Sequence, residues 1–306
     1  MWWILYIAIG ILVLIVIPHF VVTFFIFAEF FKHMSPKTID KRVLKNANYE
    51  AVREEMFALA EQGIKECKEV DIFSYDNLKL HGYYFDKGFD KVIIMFHGVH
   101  ANGLFHFSIQ TREFINRGFN VLVIDERAHG KSEGKYITYG QKEQEDVLSW
   151  ISYVENVLNF QNIYLYGLSM GATSIALASP RFDNKIKGMI IDCGFTNINE
   201  LIDHIVGSQH IPKQLFYHGL IFLAKHLADI NFNDLTTVDR LKQTSTPAFF
   251  VQGTKDIVAT QKFLMDNYNA CSSKKEILEV EGAPHTLSVP LEKEKVLNKI
   301  FNFLEI

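Results

Sequence analysis

A serine between two glycines is the strongest chemical signal in this sequence. The run GLSMG at 167–171 follows the apolar stretch IYLY and precedes the small residues ATSIALA at 172–178. This context predicts a tight turn from a strand into a helix, which needs small neighbours because the backbone at the serine is strained. The N-terminus of the following helix favours developing negative charge. We therefore expect Ser169 to act as a nucleophile.

A serine hydroxyl needs a base to remove its proton. His285 lies in EGAPH, after the apolar run KEILEV, and Asp256 lies in QGTKD, at the end of the run PAFFVQG. Each follows the end of a predicted strand, as Ser169 does, and their order along the chain suits a catalytic triad. We expect His285 to accept the Ser169 proton and Asp256 to orient the imidazole. Asp266 is a rival acid, but it falls within the next predicted helix.

A tetrahedral intermediate on Ser169 also needs two N–H donors for its negatively charged oxygen. The backbone N–H of Met170, directly after the nucleophile, is the first donor that the sequence predicts. The second is the N–H of Val99, in the loop after KVIIMF, where Gly98 allows a close approach of the backbone. We expect His97 to hydrogen-bond its own loop rather than to transfer protons.

The other notable polar groups are expected to stabilise the fold around the site rather than to take part in catalysis. The charged run at 125–132 is expected to form an ion-paired turn beneath the site, and Cys193 to be a small packed thiol. No His, Cys and carboxylate spacing indicates a metal, and no glycine-rich loop indicates a nucleotide, so we predict no cofactor. The net charge of −4 gives no electrostatic footprint for nucleic acid.

The elements that must position these residues are short apolar runs separated by longer amphipathic stretches. Two runs separated by three residues, VDIFSY and KLHGYYF, predict an antiparallel hairpin. Six more follow: KVIIMF, FNVLVID, NIYLYG, GMIIDC, PAFFVQG and KEILEV. Runs that are apolar on both faces, with crossovers long enough for helices, indicate a mostly parallel sheet of about eight strands flanked by helices.

The first 31 residues predict a membrane anchor. From Trp2 to Phe27 no side chain is charged, and about 25 helical residues span a hydrocarbon core of about 30 Å with some tilt. The alternative is a cleaved signal peptide, although the apolar run is long for one. Basic residues follow the span closely, at Lys32, Lys37, Lys41, Arg42 and Lys45. They favour a single-pass cell-membrane protein whose catalytic domain is cytoplasmic, and the odd cysteine count suits a reducing compartment.

Residues 32–68 are expected to link the anchor to the catalytic domain at 69–306. Within this linker, apolar residues recur at helical spacing and predict a short amphipathic helix: Tyr49, Val52, Met56, Leu59 and Ala60. Inside the domain, about 50 residues separate GMIIDC from PAFFVQG. A structureless loop of that length is improbable, so 196–246 is expected to form a helical cap.

The motifs HGVHAN, DERAHGKSEG, GLSMGA, PAFFVQGTKDIV and EGAPH together resemble the α/β-hydrolase superfamily. They are most similar to its membrane-anchored bacterial branch of serine aminopeptidase-like and BEM46-type hydrolases. The resemblance covers about residues 65–306. It implies the α/β-hydrolase fold, with Ser169, Asp256 and His285 as the triad and Val99 and Met170 as the oxyanion donors.

The sequence therefore predicts a serine hydrolase that cleaves a small-molecule carboxylic ester through an acyl-Ser169 intermediate. An acyl lipid would suit an anchor that holds the domain close to the bilayer, if the apolar residues of the cap line the pocket. One alternative is a peptidase or amidase that uses the same triad. Another is a binding protein that retains the fold without catalysis.

Overall fold

One sheet of eight strands organises the domain. The computed structural model describes residues 2–32, 47–208, 213–232 and 235–305. The strands occur where the apolar runs predict them, in the order β1-β2-β4-β3-β5-β6-β7-β8. Their ranges are β1 Lys68–Phe73, β2 Lys79–Phe85, β3 Lys91–Phe96, β4 Asn120–Ile124, β5 Asn162–Leu168, β6 Ile186–Asp192, β7 Ala248–Gly253 and β8 Lys275–Val280.

The strand pairing is mostly parallel, as predicted. β1 pairs with β2 in an antiparallel hairpin, and β2 is also antiparallel to β4. Every other neighbouring pair is parallel, so β3 to β8 end at one edge of the sheet. All of β4 and β7 is buried, which agrees with a sheet covered on both faces.

The helices lie on both sides of the sheet and form two apolar layers with it. Those of the described residues are α1 Trp2–Phe31, α2 Arg53–Glu66, α3 Gly103–His106, α4 Ser108–Asn116, α5 Glu143–Asn156, α6 Met170–Ala178, α7 Ile198–Ser208, α8 Lys213–Leu223, α9 Thr237–Leu241, α10 Gln261–Ala270, α11 Ser288–Leu291 and α12 Lys293–Leu304. One layer contains Phe114 and Phe301, and the other contains Trp150 and Ile175. The expected cap corresponds to α7, α8, a π-helical turn at Ala224–Ala228, and α9; residues 209–212 and 233–234 lie outside the described part.

Helix α1 has the length and composition of a membrane span. Its 30 residues reach about 45 Å at 1.5 Å per residue. Its first two thirds expose large apolar side chains to the surroundings, among them Trp2 and Leu14. Exposed apolar surface of this extent is typical of a segment that contacts a membrane or another protein.

The last third of α1 packs against the domain instead of protruding from it. Thr23, Phe27 and Phe31 are spaced four residues apart on one face and are each 1% exposed or less. The Phe31 ring lies 5.4 Å from the Tyr139 ring, and the Phe31 carbonyl accepts a 2.7 Å hydrogen bond from the Ile137 N–H. The apolar helix and the domain are therefore one packed unit.

Helix α8 also packs along α1. The His19 and Phe216 rings stack at 5.2 Å, and a Cβ on Gly219 would lie 2.9 Å from the Thr23 methyl carbon. The absence of a side chain at Gly219 thus allows the two helices to approach closely. Much of the apolar character of α8 is explained by this contact with α1.

The expected helix between the anchor and the domain differs from the prediction at its start. Ala47–Tyr49 forms a 3₁₀ turn, and the α-helix begins only at Arg53. Tyr49 and Met56 are buried in the same core, so the apolar spacing predicted their burial correctly. The rest of the linker, with Lys37, Lys41, Arg42 and Lys45, lies outside the described residues.

Candidate active site

Ser169 occupies the turn between β5 and α6. Its backbone has φ 55° and ψ −112°, a strained conformation for a residue with a side chain. The flanking glycines allow this turn to close. A Cβ on Gly171 would overlap the carbonyl group of Phe96, and one on Gly167 would overlap the backbone of Ala172. The turn therefore needs the Gly-x-Ser-x-Gly spacing for steric reasons.

The structure brings the three predicted triad side chains together. His285 Nε2 lies 2.9 Å from Ser169 Oγ, and His285 Nδ1 lies 2.7 Å from Asp256 Oδ2. The Asp256 side chain is fully buried, whereas that of His285 is 20% exposed. Asp266 does not join them, since it lies on the surface and pairs with Lys262 at 2.7 Å.

Asp256 is fixed on both of its carboxylate oxygens. While Oδ2 faces the imidazole, Oδ1 accepts hydrogen bonds of 2.8 Å from the backbone N–H groups of Val258 and Ala259. Two backbone donors on one oxygen hold the carboxylate in a single orientation. The loop after β7 therefore supplies both the acid and the groups that hold it in place.

The predicted oxyanion donors lie on either side of Ser169. Met170 is the first residue of α6, where the N–H group has no partner within the helix. Val99 lies in the loop after β3 and lines the same cavity as Ser169. A Cβ on Gly98 would come within 3.0 Å of Ser169 Cβ, so this loop passes directly over the nucleophile.

The cavity at Ser169 has a volume of about 590 Å³. Four apolar residues line part of it: Val99, Ile257, Val258 and Pro284. Tyr49 and Thr286 also line it, and sequence reasoning assigned neither to the site. None of the described residues of the cap does so. The expectation of an acyl pocket built by the cap is therefore unsupported in the part of the chain that the structure describes.

His97 and the charged run at 125–132 support the site, as expected. His97 Nδ1 donates to the carbonyl of Gly98 at 2.7 Å, and Nε2 accepts from the N–H of Glu126 at 3.0 Å. Burial lowers the pKa of His97 well below its usual value, so the ring is neutral and structural. Arg127 binds Asp146 through two nitrogens at 2.6 Å and fixes the turn in the interior.

A family model for the α/β-hydrolase fold matches residues 91–225. This match covers β3 to β6 and the Ser169 turn. The chain has the α/β-hydrolase fold. The later elements that carry Asp256 and His285 lie beyond the matched range.

Individual proteins are similar to this chain in sequence or in fold. The uncharacterized protein YqkD of Bacillus subtilis is 25% identical over 211 residues, which are 68% of this chain and 66% of that protein. An esterase of Pyrococcus furiosus, Pf2001, is 26% identical, with a TM-score of 0.64, covering 78% of this chain and 92% of the esterase. The esterase EaEST of Exiguobacterium antarcticum shares the fold at 19% identity and a TM-score of 0.59, covering 78% and 99% of the two chains.

One cluster among the described residues has the composition of a metal site. Donor atoms of Cys193, Asp256 and His285 all lie within 4.8 Å of one another. Both imidazole nitrogens, however, already have partners in Ser169 and Asp256. Burial raises the pKa of the Cys193 thiol well above its usual value, which keeps it protonated and a poor ligand. The arrangement favours a hydrogen-bonded triad over metal binding.

A second buried carboxylate, Asp192, ends β6 next to the triad. It is 1% exposed, and its Oδ2 accepts a 3.0 Å hydrogen bond from the Tyr166 hydroxyl. Burial raises the pKa of Asp192 to about 7, despite the opposing effects of this hydrogen bond and of His285. An unfolded chain ionises such a group near pH 3.9, so between about pH 4 and 7 the folded state binds the additional proton. This carboxyl group therefore lowers stability as the pH rises through that window.

Asp192→Asn should remove this pH dependence, since asparagine resembles the protonated acid and can still accept from Tyr166. We expect the variant to gain on the order of 2 kcal/mol relative to the natural protein between pH 5 and pH 8. Urea unfolding of both proteins at the two pH values, in the same detergent, measures this gain. A stability difference that stays constant between pH 5 and 8 would mean that Asp192 ionises like an exposed carboxylate.

Proposed function

We propose that this chain is a serine hydrolase that cleaves carboxylic esters through an acyl-Ser169 intermediate. The observation that carries the proposal is the continuous contact from Asp256 Oδ2 through both nitrogens of His285 to Ser169 Oγ, at 2.7 and 2.9 Å. No cofactor is needed, because the nucleophile, the base and the acid all come from the chain.

The mechanism follows from the order of these contacts, in which His285 lies between Asp256 and Ser169. His285 Nε2 removes the Ser169 proton as Oγ attacks the ester carbonyl, and ionised Asp256 stabilises the resulting imidazolium. The oxygen that becomes negative accepts from the N–H groups of Val99 and Met170. His285 then gives the proton to the leaving alcohol, which leaves the acyl group on Ser169. Water, activated by the same histidine, releases the acid.

The cavity favours esters over peptides with a free amino terminus. Among the described residues that line it, none is Asp or Glu, whereas Lys255 contributes a basic group. An aminopeptidase has to hold a substrate ammonium group, which calls for a carboxylate. Pf2001, whose fold this chain shares at 26% identity, is an esterase and adds support from outside the molecule. Peptide or amide cleavage by the same triad is the second candidate.

We propose further that α1 tethers the enzyme to a membrane as a single span with the domain on the cytoplasmic side. The exposed segment before Thr23 has about 21 residues and a length of about 31 Å, which matches a hydrocarbon core. A tethered site meets amphiphilic esters at high local concentration, so an acyl lipid is the proposed natural substrate. This proposal places the chain in the membrane-anchored bacterial branch that its motifs resemble.

A substrate series on the full chain in detergent tests the proposed reaction. We expect the protein to react with a fluorophosphonate probe and to hydrolyse p-nitrophenyl esters with kcat/KM at least 100-fold above that for aminoacyl anilides. Each CH₂ group that the four apolar lining residues of the cavity bury adds about 0.8 kcal/mol to substrate binding. We therefore expect kcat/KM to rise from acetate to medium acyl chains.

Each part of the substrate series has a contrary outcome. Anilides that are cleaved faster than esters would establish the peptidase alternative. No probe labelling would favour a binding protein that retains the fold. A maximum at acetate would end the acyl-lipid hypothesis while leaving the esterase proposal intact.

A further inference from the structure

Tyr49 belongs to the segment that joins α1 to the domain, yet it lines the cavity of the active site. It ends the 3₁₀ turn at Ala47–Tyr49, is 6% exposed, and its ring packs 5.7 Å from the ring of Phe105. Its hydroxyl oxygen lies 2.8 Å from Thr286 Oγ1 and 3.2 Å from His106 Nε2. Thr286 directly follows His285 in the sequence.

The protons of this cluster can be assigned without ambiguity. Thr286 Oγ1 lies 2.6 Å from the carbonyl oxygen of His285, and only the hydroxyl can donate in that pair. Thr286 has no second proton, so Tyr49 donates to Thr286. Tyr49 in turn has no further proton, so His106 Nε2–H donates to Tyr49. The result is a one-directional chain from His106 through Tyr49 and Thr286 to the backbone of His285.

The ionisation states agree with this assignment. Burial lowers the pKa of His106 to about 3, so at neutral pH the ring is uncharged. Burial also raises the pKa of Tyr49 to about 12, against the effect of its hydrogen bond with Thr286, so the phenol keeps its proton. The chain therefore stays intact over the range in which the enzyme would work.

The backbone beyond His285 needs such support. Thr286 has φ 65°, in the left-handed region that residues with a branched Cβ rarely adopt. Asp256 fixes the imidazole at Nδ1, but this contact alone does not fix the backbone that carries the ring. The Thr286 hydroxyl binds that backbone at the His285 carbonyl, and Tyr49 holds the hydroxyl in place.

We propose that Tyr49 is a positioning residue for His285, acting through Thr286. The segment next to α1 is then part of the active site rather than a passive linker. This inference rests on the proposed function of His285 as the base. It predicts that removal of the Tyr49 hydroxyl lowers kcat, because Ser169 and His285 lose their alignment while the substrate still binds.

Tyr49→Phe tests the hydroxyl while keeping the ring packed on Phe105. We expect kcat for a p-nitrophenyl ester to fall about three- to tenfold, as for the loss of one aligned hydrogen bond, with KM changed less than twofold. Tyr83→Phe is the matched control. It removes another buried tyrosine hydroxyl, which donates to Asp125 at 3.3 Å away from the cavity, and should leave kcat unchanged.

Substitutions at Thr286 separate positioning from general destabilisation. Thr286→Ser keeps the hydroxyl and should retain kcat, whereas Thr286→Val should lose as much as Tyr49→Phe or more. The double variant Tyr49→Phe/Thr286→Val should be no slower than Thr286→Val alone, because the two residues act in one chain.

Three results would overturn the inference. They are an unchanged kcat in Tyr49→Phe, a fall in kcat equalled by Tyr83→Phe, or losses that multiply in the double variant. A natural protein without esterase activity would instead contradict the proposed function, so the two failures are distinguishable.

Discussion

Ser169→Ala is expected to lower kcat for a p-nitrophenyl ester by about 10⁴-fold or more while the protein stays folded. The nucleophile, once removed, cannot be replaced by the base or the acid, since both act through its oxygen. Alanine keeps the small Cβ that the strained turn accepts at φ 55° and ψ −112°. The hydroxyl makes a 2.9 Å contact with His285 Nε2, and losing it leaves the turn geometry intact. Steady-state kinetics and a melting curve on the same preparation measure both expectations.

Ser179→Ala is the matched control for this experiment. Ser179 is also a buried serine, at the other end of α6, where its hydroxyl donates to the Ala176 carbonyl at 2.8 Å. We expect this variant to retain the kcat of the natural protein. A Ser169→Ala protein that keeps more than a few per cent of kcat, in a preparation free of contaminating esterase, would rule out Ser169 as the nucleophile.

The sheet was predictable because its strands are buried on both faces. Runs such as KVIIMF and NIYLYG have only one charged or amide residue, at their start, and each coincides with a strand. The order of the strands does not follow from those runs. β4 lies between β2 and β3, so neighbours in space are not always neighbours in sequence.

The docking of α1 could not be predicted from its composition. A helix that buries one face usually reveals it as an apolar stripe against polar neighbours. In α1 the buried positions Thr23, Phe27 and Phe31 lie among equally apolar residues that are exposed, such as Phe24 and Phe25. Without contrast between faces, the sequence predicts the helix but not what it contacts.

In the candidate site, too, some residues could be predicted from the sequence and one could not. Ser169, Asp256 and His285 were recognisable because each follows a strand and carries a reactive group. Tyr49 was noticed only as an apolar position at helical spacing, and its role in the site depends on a contact with Thr286, 237 residues away. Contacts of that range are properties of the folded chain.

Asp256→Asn is expected to lower kcat by about 10⁴-fold, because it forces His285 into the wrong tautomer. The backbone N–H groups of Val258 and Ala259 both donate to Oδ1 at 2.8 Å, so the asparagine oxygen must occupy that position. The asparagine NH₂ group then faces His285 Nδ1, where Oδ2 lies at 2.7 Å in the natural protein. Two donors cannot face each other, so Nδ1 must lose its proton and Nε2 must carry it. An imidazole protonated at Nε2 cannot accept the proton of Ser169.

Asp266→Asn separates this effect from a general loss of negative charge. Asp266 was the rival acid in the sequence, and in the structure it is partly exposed and bound to Lys262 at 2.7 Å. We expect it to keep kcat within twofold, while Asp256→Asn keeps its melting temperature but loses turnover. ¹⁵N NMR of His285 provides an independent measurement, since the protonated nitrogen should change from Nδ1 to Nε2 in the Asp256 variant alone. If kcat in that variant stays within tenfold, the tautomer argument fails and a different acid must orient His285.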